Sequence, residues 1–269
     1  MKKAFIIISA LLALLLCLAG CNFNFSVGVN YTYDSAGYEK NEENTEKTFD
    51  GTVQKVDMDW VSGKIVFVKG DKFSIREKAT KGEYFPLYYK LEAGTLYIKW
   101  AENGTSSTAF KNREKEITVT VTEEFGAILL NNVSASFDID VYSADVMDIN
   151  NVSGNGEIKA GTVKSFKYDG VSGDMKLTAE VSGKVDINTV SGKVTLNQNA
   201  AAANNSYKLN TVSGDIEIKL PADAAGYSLK VSTISGGYSS AFGEKEYGDG
   251  SVGIDFNSVS ASLKITKAE

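Results

Sequence analysis

Read as apolar and polar positions alone, the chain divides into four stretches. An apolar run fills residues 4–19, behind Met1, Lys2 and Lys3. It falls short of the roughly 20 residues that span a bilayer as a helix, and a short basic head before such a run is the layout of a secretory signal peptide. Next, Phe23, Phe25, Val27, Val29, Tyr31 and Tyr33 fall on alternate positions. That two-residue period predicts a strand with one apolar face, suited to a sheet edge or to a membrane interface. Residues 34–49 lose the alternation and are mostly polar and acidic, with Asp34, Glu39, Glu42, Glu43 and Glu46 against Lys40 and Lys47. So little apolar surface predicts a tether, because burial cannot offset the entropy of ordering it. From Asp50 onward, short alternating runs are punctuated by Gly, Asn, Asp and Ser, and no helical period follows the signal. The pattern predicts an all-β protein.

Within the last stretch a motif recurs. Ser62, Ser134, Ser153, Ser172, Ser182, Ser191, Ser213, Ser235 and Ser260 each follow Val or Ile and precede Gly, or Ala at Ala135 and Ala261. Apolar residues then tend to follow two and four positions beyond, as in Val212, Gly214, Ile216 and Ile218. These positions share one parity, so a strand would turn them all inward. An inward residue with almost no side chain suits a corner, which makes Gly63, Gly154, Gly173, Gly183, Gly192, Gly214 and Gly236 the expected repeat corners. Val133, Val152 and Val171 are 19 residues apart, and Val190, Val212 and Ile234 are 22 apart. Val181 splits the interval between Val171 and Val190 into 10 and 9. Repeats near twenty residues built from two strand runs predict a single-chain β-solenoid, a parallel β-helix with coils of about 19–22 residues. Residues 180–197 would then be one coil whose two corners are spelled alike. One coil cannot fold alone, because only stacking buries both of its faces.

The end of the apolar run reads Leu18-Ala19-Gly20-Cys21, which resembles the bacterial lipoprotein signal. The resemblance implies cleavage before Cys21, recognition through Leu18, Ala19 and Gly20, and a diacylglycerol on the Cys21 thiol. Cys17 would leave with the signal and Cys21 would carry lipid, so the exported chain would contain no disulfide. Removing the signal also removes Lys2 and Lys3 and leaves a net charge of −8. Such a surface disfavours nucleic acid and anionic lipid. Histidine is absent, which removes the commonest general base and the commonest transition-metal ligand. A column of serines without histidine is better suited to hydrogen bonding between coils than to nucleophilic catalysis. Asp138, Asp140, Asp145 and Asp148 follow neither the EF-hand spacing nor the glycine-rich nonapeptide of calcium β-rolls. Arg76 and Arg113, the two arginines, lie outside the regular repeats, which leaves a polysaccharide-lyase reading without its basic residues. No enzyme, metal or cofactor is expected beyond the covalent lipid.

From about Asp50 to the C-terminus the chain resembles the bacterial putative-adhesin (DUF4097-like) family of β-strand repeat proteins. The resemblance rests on "DMDWVSGKIVF", on "KEITVTV", on the V-S-G-[DK]-[VI] copies and on "YGDGSVGIDFNSVSASLKI". It implies a right-handed β-helix that is exported and non-enzymatic, and relatives occur with envelope-stress systems. The V-S-A copies at Val133 and Val259, and Gly156 at an expected apolar position, depart from the pattern.

The expected organisation is a signal peptide at 1–20, a lipidated N-terminus and acidic tether at 21–49, N-terminal β coils at 50–125, and a continuous V-S-G solenoid at 126–269. Two aromatic clusters supply a candidate contact surface: Tyr84 and Tyr88 in "EYFPLYYK", and Tyr238, Phe242 and Tyr247 in "GGYSSAFGEKEYGDG". The functional expectation is a monomeric surface lipoprotein on the outer face of the cell membrane, or of an outer membrane where one exists. It would serve as an adhesin or envelope-binding scaffold presenting a rigid solenoid, with a cell-envelope glycan or a membrane protein as partner. The alternative is an accessory of an envelope-stress pathway acting through a membrane protein.

Overall fold

The computed structural model describes residues 30–123, 125–199, 205–243 and 245–268. Leu18, Ala19, Gly20, Cys21, the signal and most of the alternating segment 22–33 lie outside the described residues.

Strands dominate, and among the described residues the helical element is one 3-10 turn, Ser107–Phe110. Two parallel sheets, joined into one continuous sheet through the long strands Gly156–Gly170 and Met175–Thr189, receive one strand each from every rung. Along the first sheet the parallel order is Thr95–Lys99, Lys55–Trp60, Ala127–Asn132, Ala144–Asn151, the later halves of Gly156–Gly170 and Met175–Thr189, Ser206–Thr211, Val252–Ser258 and Gly226–Thr233. The second sheet runs Glu114–Val121, Gly63–Lys69, Ser136–Asp140, the earlier halves of the same two long strands, Val194–Gln198, Ile216–Leu220, Ser262–Lys267 and Gly237–Ser240. The architecture is all-β and solenoid-like.

The rung order does not follow the chain. In the middle, residues 19 apart stack on one another, then 22 apart. The Lys55–Lys69 rung, however, lies beneath Ala127–Asp140, joined across 72 residues by Asn131 and Asp59. The last segment, Val252–Lys267, inserts between Ser206–Leu220 and Gly226–Ser240, and Asn257 reaches Asn210 across 47 residues. Both V-S-A copies lie on rungs that rest on a rung distant in sequence: Ser134 N–H donates to Val61 O, and Ser260 N–H to Val212 O. Gly156 is equally specific. A Cβ there would fall on the Phe137 ring of the rung below, so the phenyl group fills the space of the missing side chain.

The core is a set of apolar columns running the length of the stack. One of them passes Met175, Val194, Ile216 and Leu263, all buried. The corner valine, expected inside, is only half-buried at Val133, Val152, Val171, Val190 and Val212. The turn switches the parity of the strand, so the preceding residue points inward: Asn132, Asn151, Thr189, Thr211 or Ser258, each buried. These polar groups satisfy the corner backbone. Asn132 Nδ2 donates to Ala135 O, Asn151 Nδ2 to Gly154 O at 2.8 Å, and Thr211 Oγ1 to Gly214 O at 2.9 Å. A buried carbonyl without a donor is costly, which is why a hydroxyl or amide occupies an otherwise apolar position.

Residues 34–49 differ from the expected tether. Glu39–Lys40 pairs with Tyr88–Glu92, and Glu46–Thr48 with Ser74–Lys81. Asn41 is buried, and its N–H donates to Leu87 O. Strand pairing supplies the backbone partners, and a few aromatic residues supply the burial that the acidic composition concealed. Tyr38 packs edge-on against Tyr33, and Phe49 against both Phe73 and Tyr89.

Candidate interaction surfaces

The corner with the most copies forms a continuous edge. Ser153 N–H donates to Val133 O, Ser172 to Val152 O, Ser191 to Val171 O, Ser213 to Val190 O, and Ser235 to Val259 O. The hydroxyls of Ser134, Ser172, Ser191 and Ser213 donate to the same carbonyls as their own amides. Gly63, Gly154, Gly173, Gly192, Gly214 and Gly236 follow along this edge, each with the backbone of a neighbouring rung where a Cβ would stand. Gly183 lies on the opposite edge, within Met175–Thr189, against Lys164 O. The two corners of residues 180–197 therefore face opposite ways.

The outer face of the first sheet carries two columns. Asn131 donates to Asp59 Oδ1 at 2.8 Å, Asn150 to Asn131 at 3.0 Å, Asn188 to Asp169 at 2.7 Å, Asn210 to Asn188 at 2.9 Å, and Asn257 to Asn210 at 3.1 Å. The column breaks once. Asp169 faces Asn150 and has no proton to offer, so Asn150 Oδ1 lacks a donor. The neighbouring column alternates in sign through Asp148, Lys167, Asp186, Lys208, Asp255 and Lys230. Lys167 bridges Asp148 and Asp169 at 3.3 and 2.6 Å. Asp169→Asn should therefore change stability by less than about 1 kcal/mol, because the new amide bond to Asn150 offsets the loss of an ion pair whose lysine is partly exposed and keeps Asp148 as a partner. Urea midpoints at low and high salt check this, and the variant should be the less salt-sensitive of the two proteins.

At the N-terminal end lies the most unusual chemistry. Lys115 and Glu77 are 2% and 1% exposed. Lys115 shares parity with Ile117, Val119 and Val121, so the alternation of Glu114–Val121 itself drives an ammonium into the core. Its Nζ donates to Phe85 O at 2.7 Å and stands 3.0 Å from Glu77 Oε2 as an ion pair. The Trp60 and Trp100 rings flank it at 5.4 and 4.8 Å. Glu77 Oε1 accepts from Leu87 N–H at 2.8 Å and from the Tyr84 hydroxyl at 2.9 Å. Burial pushes the Lys115 ammonium down to about 8, against the opposing pull of Glu77. Tyr84, expected on a contact surface, turns its single hydroxyl proton toward Glu77, with Asn41 O as a second acceptor at 3.1 Å, and burial together with Glu77 raises its pKa. Tyr88 is half-buried on the strand next to Thr95–Lys99. Sequence reasoning missed the ion pair, although a lysine on the apolar parity of "KEITVTV" was the signal that could have found it.

The other three candidate aromatics lie at the far end of the stack. Phe242 and Tyr247 pack on each other at 5.0 Å and on buried Tyr227, closing the end of the core. Tyr238 is 36% exposed and Ile234, at the last corner, 42%. The five candidate residues thus divide between the two ends and do not form one surface. Among the described residues, no group of three metal-ligating side chains comes together, and no helix is long and apolar enough to cross a membrane.

A protein-family model described as Toastrack DUF4097 matches residues 27–267. Two solved structures are similar. One is a putative cell adhesion protein from Clostridium sporogenes ATCC 15579, 15% identical, with a TM-score of 0.34 over 83% of this chain and 99% of that one. The other is a putative adhesin from Bacteroides fragilis NCTC 9343, 14% identical, with a TM-score of 0.44 over 83% of this chain and 96% of that one. No curated protein matches.

Proposed function

The chain belongs to the Toastrack DUF4097 family, and from that premise we propose a non-enzymatic surface lipoprotein that presents a rigid, right-handed solenoid to a component of the cell envelope. The observation that carries the reading is the use made of the polar side chains. Along the serine edge and the asparagine column they bond the next rung, which builds a stiff rod. Lipid on Cys21 would hold the protein to the outer face of the membrane. Asn30–Tyr31 pairs with Thr105–Ser106 beside the first rung, so the anchor would lie at that end. The Gly226–Ser240 rung then stands about 40 Å away by the inter-strand spacing.

Two measurements test this reading. Growth with a labelled fatty acid should label the wild-type protein, and Cys21→Ser should lose the label and leave the membrane fraction. An unlabelled wild type would overturn the anchor. Released protein should then co-sediment saturably with purified cell-wall sacculi, at low and high salt alike. Absence of binding would move the partner from glycan to a membrane protein.

A further inference from the structure

The two ends of the stack are finished differently. At the N-terminal end the last strands are Glu39–Lys40 and Glu46–Thr48, short and charged, which is how natural sheets keep their edges from pairing with other chains. At the other end the first sheet is partly covered, because Glu246–Gly248 pairs antiparallel with residues 226–228. The second sheet ends in Gly237–Ser240, and among the described residues no strand pairs with its outer edge.

That edge carries no charged guard. Residues 231–243, "VSTISGGYSSAFG", contain neither a charge nor a proline, in a chain of net charge −6. The backbone is poised for one more strand. Ser235 and Ala241 N–H donate to Val259 O and Ile265 O of the inner neighbour. A strand turns alternate residues to opposite sides, so the N–H and C=O groups of Tyr238 and Ser240 point away from the stack. Tyr238 also ends the apolar column of Leu263, Ile216 and Val194, and is the one of these four left exposed.

We propose that this edge is a self-association site, at which the Gly237–Ser240 strands of two copies pair antiparallel about a two-fold axis at Tyr238. A two-fold contact brings the same patch of both molecules together, so it requires a patch that does not repel itself. On an acidic molecule the uncharged run 231–243 meets that requirement, which the charged N-terminal edge does not. Pairing centred on Tyr238 uses the outward backbone groups of both strands and sets the two tyrosines side by side, covering the exposed end of their column. The monomer expected from sequence gives way to a dimer joined tip to tip. If the lipid anchor proposed above is correct, the contact lies at the end remote from the membrane and can join molecules on facing surfaces. The pairing itself does not depend on the anchor.

The test is sedimentation velocity of the full-length chain in density-matched detergent over a concentration series. Wild type should pass from monomer to dimer. Tyr238→Lys and Tyr238→Asp, each with unchanged circular dichroism, should weaken the dimer tenfold or more. An equimolar mixture of the two variants should restore it, because the opposite charges then face each other across the strands. If either variant alone fails to fold, Tyr238→Ser replaces it in the dilution series, again with a tenfold loss expected. Wild type that stays monomeric at every concentration, or a dimer indifferent to Tyr238, would overturn the proposal. Neither result bears on the lipid label or on sacculus binding.

Discussion

Replacing Lys115 with methionine lowers the stability of the folded chain by about 3–5 kcal/mol, although methionine is the more apolar residue. In the folded protein the Glu77 carboxylate is buried, and Lys115 is the cation facing it. Removing the ammonium leaves a charge in a low-dielectric site with only the Leu87 amide and the Tyr84 hydroxyl to hold it. Glu77→Gln in the same chain removes that charge while keeping an acceptor for both donors, so the double variant should recover all but about 1–2 kcal/mol. Urea unfolding followed by tryptophan fluorescence is the direct measurement. The chain has two tryptophans, and both rings flank Lys115. A single variant that loses less than about 1 kcal/mol would show that the two groups do not face each other as ions in the folded state.

That pair also marks a limit of what the sequence discloses. Alternation was legible wherever a strand has one inward face, as in Lys55–Trp60 or Ile216–Leu220, because burial on one side of a sheet writes a two-residue period directly into the chain. It was misleading at the corner, where the turn shifts parity by one residue and hands the inward place to Asn151 or Thr189 instead of the valine. The order of the rungs was not legible at all. The even spacing of Val190, Val212 and Ile234 suggests successive coils, yet Val252–Ser258 lies between the strands that precede the last two of them. Spacing records only how long a rung is. Which rung ends the stack depends on what can close it, and the Gly226–Ser240 rung has Tyr227, Phe242 and Tyr247 gathered over the open end of the core. Of the candidate contact residues, the sequence identified the aromatic clusters but not their division between the two ends. An aromatic side chain reads the same whether it seals a core, as Phe242 does, or stands clear of it, as Tyr238 does.

Gly173→Ala should be as damaging as the loss of the ammonium, with a cost of about 3 kcal/mol or more, for reasons that belong to the stack rather than to the residue. Gly173 has φ +100°, a conformation in which an L side chain is strained by about 1–3 kcal/mol. Its Cβ would also collide with the peptide N, C and O of Gly154, one rung below. Backbone cannot swing aside as a flexible side chain can. Val171 N–H donates to Asn151 O and Ser172 N–H to Val152 O immediately beside the clash, so relief there must break the corner bonds, adding about 1–3 kcal/mol. Because each rung contacts only its neighbours, the damage concentrates at one interface and divides the rod there. The expected signature is a second unfolding transition, with amide exchange accelerated first at Ser153, Ser172 and the strands on either side. Ala135→Gly is the control. Ala135 occupies the equivalent corner and is buried as alanine, so its methyl group fits, and the variant should lose only about 1 kcal/mol, mainly through added chain entropy. Losses of about 1 kcal/mol at both sites would mean that the corner asks only for a small residue. A loss at Gly173 that clearly exceeds the one at Ala135 would mean that the close approach of successive rungs is what demands glycine.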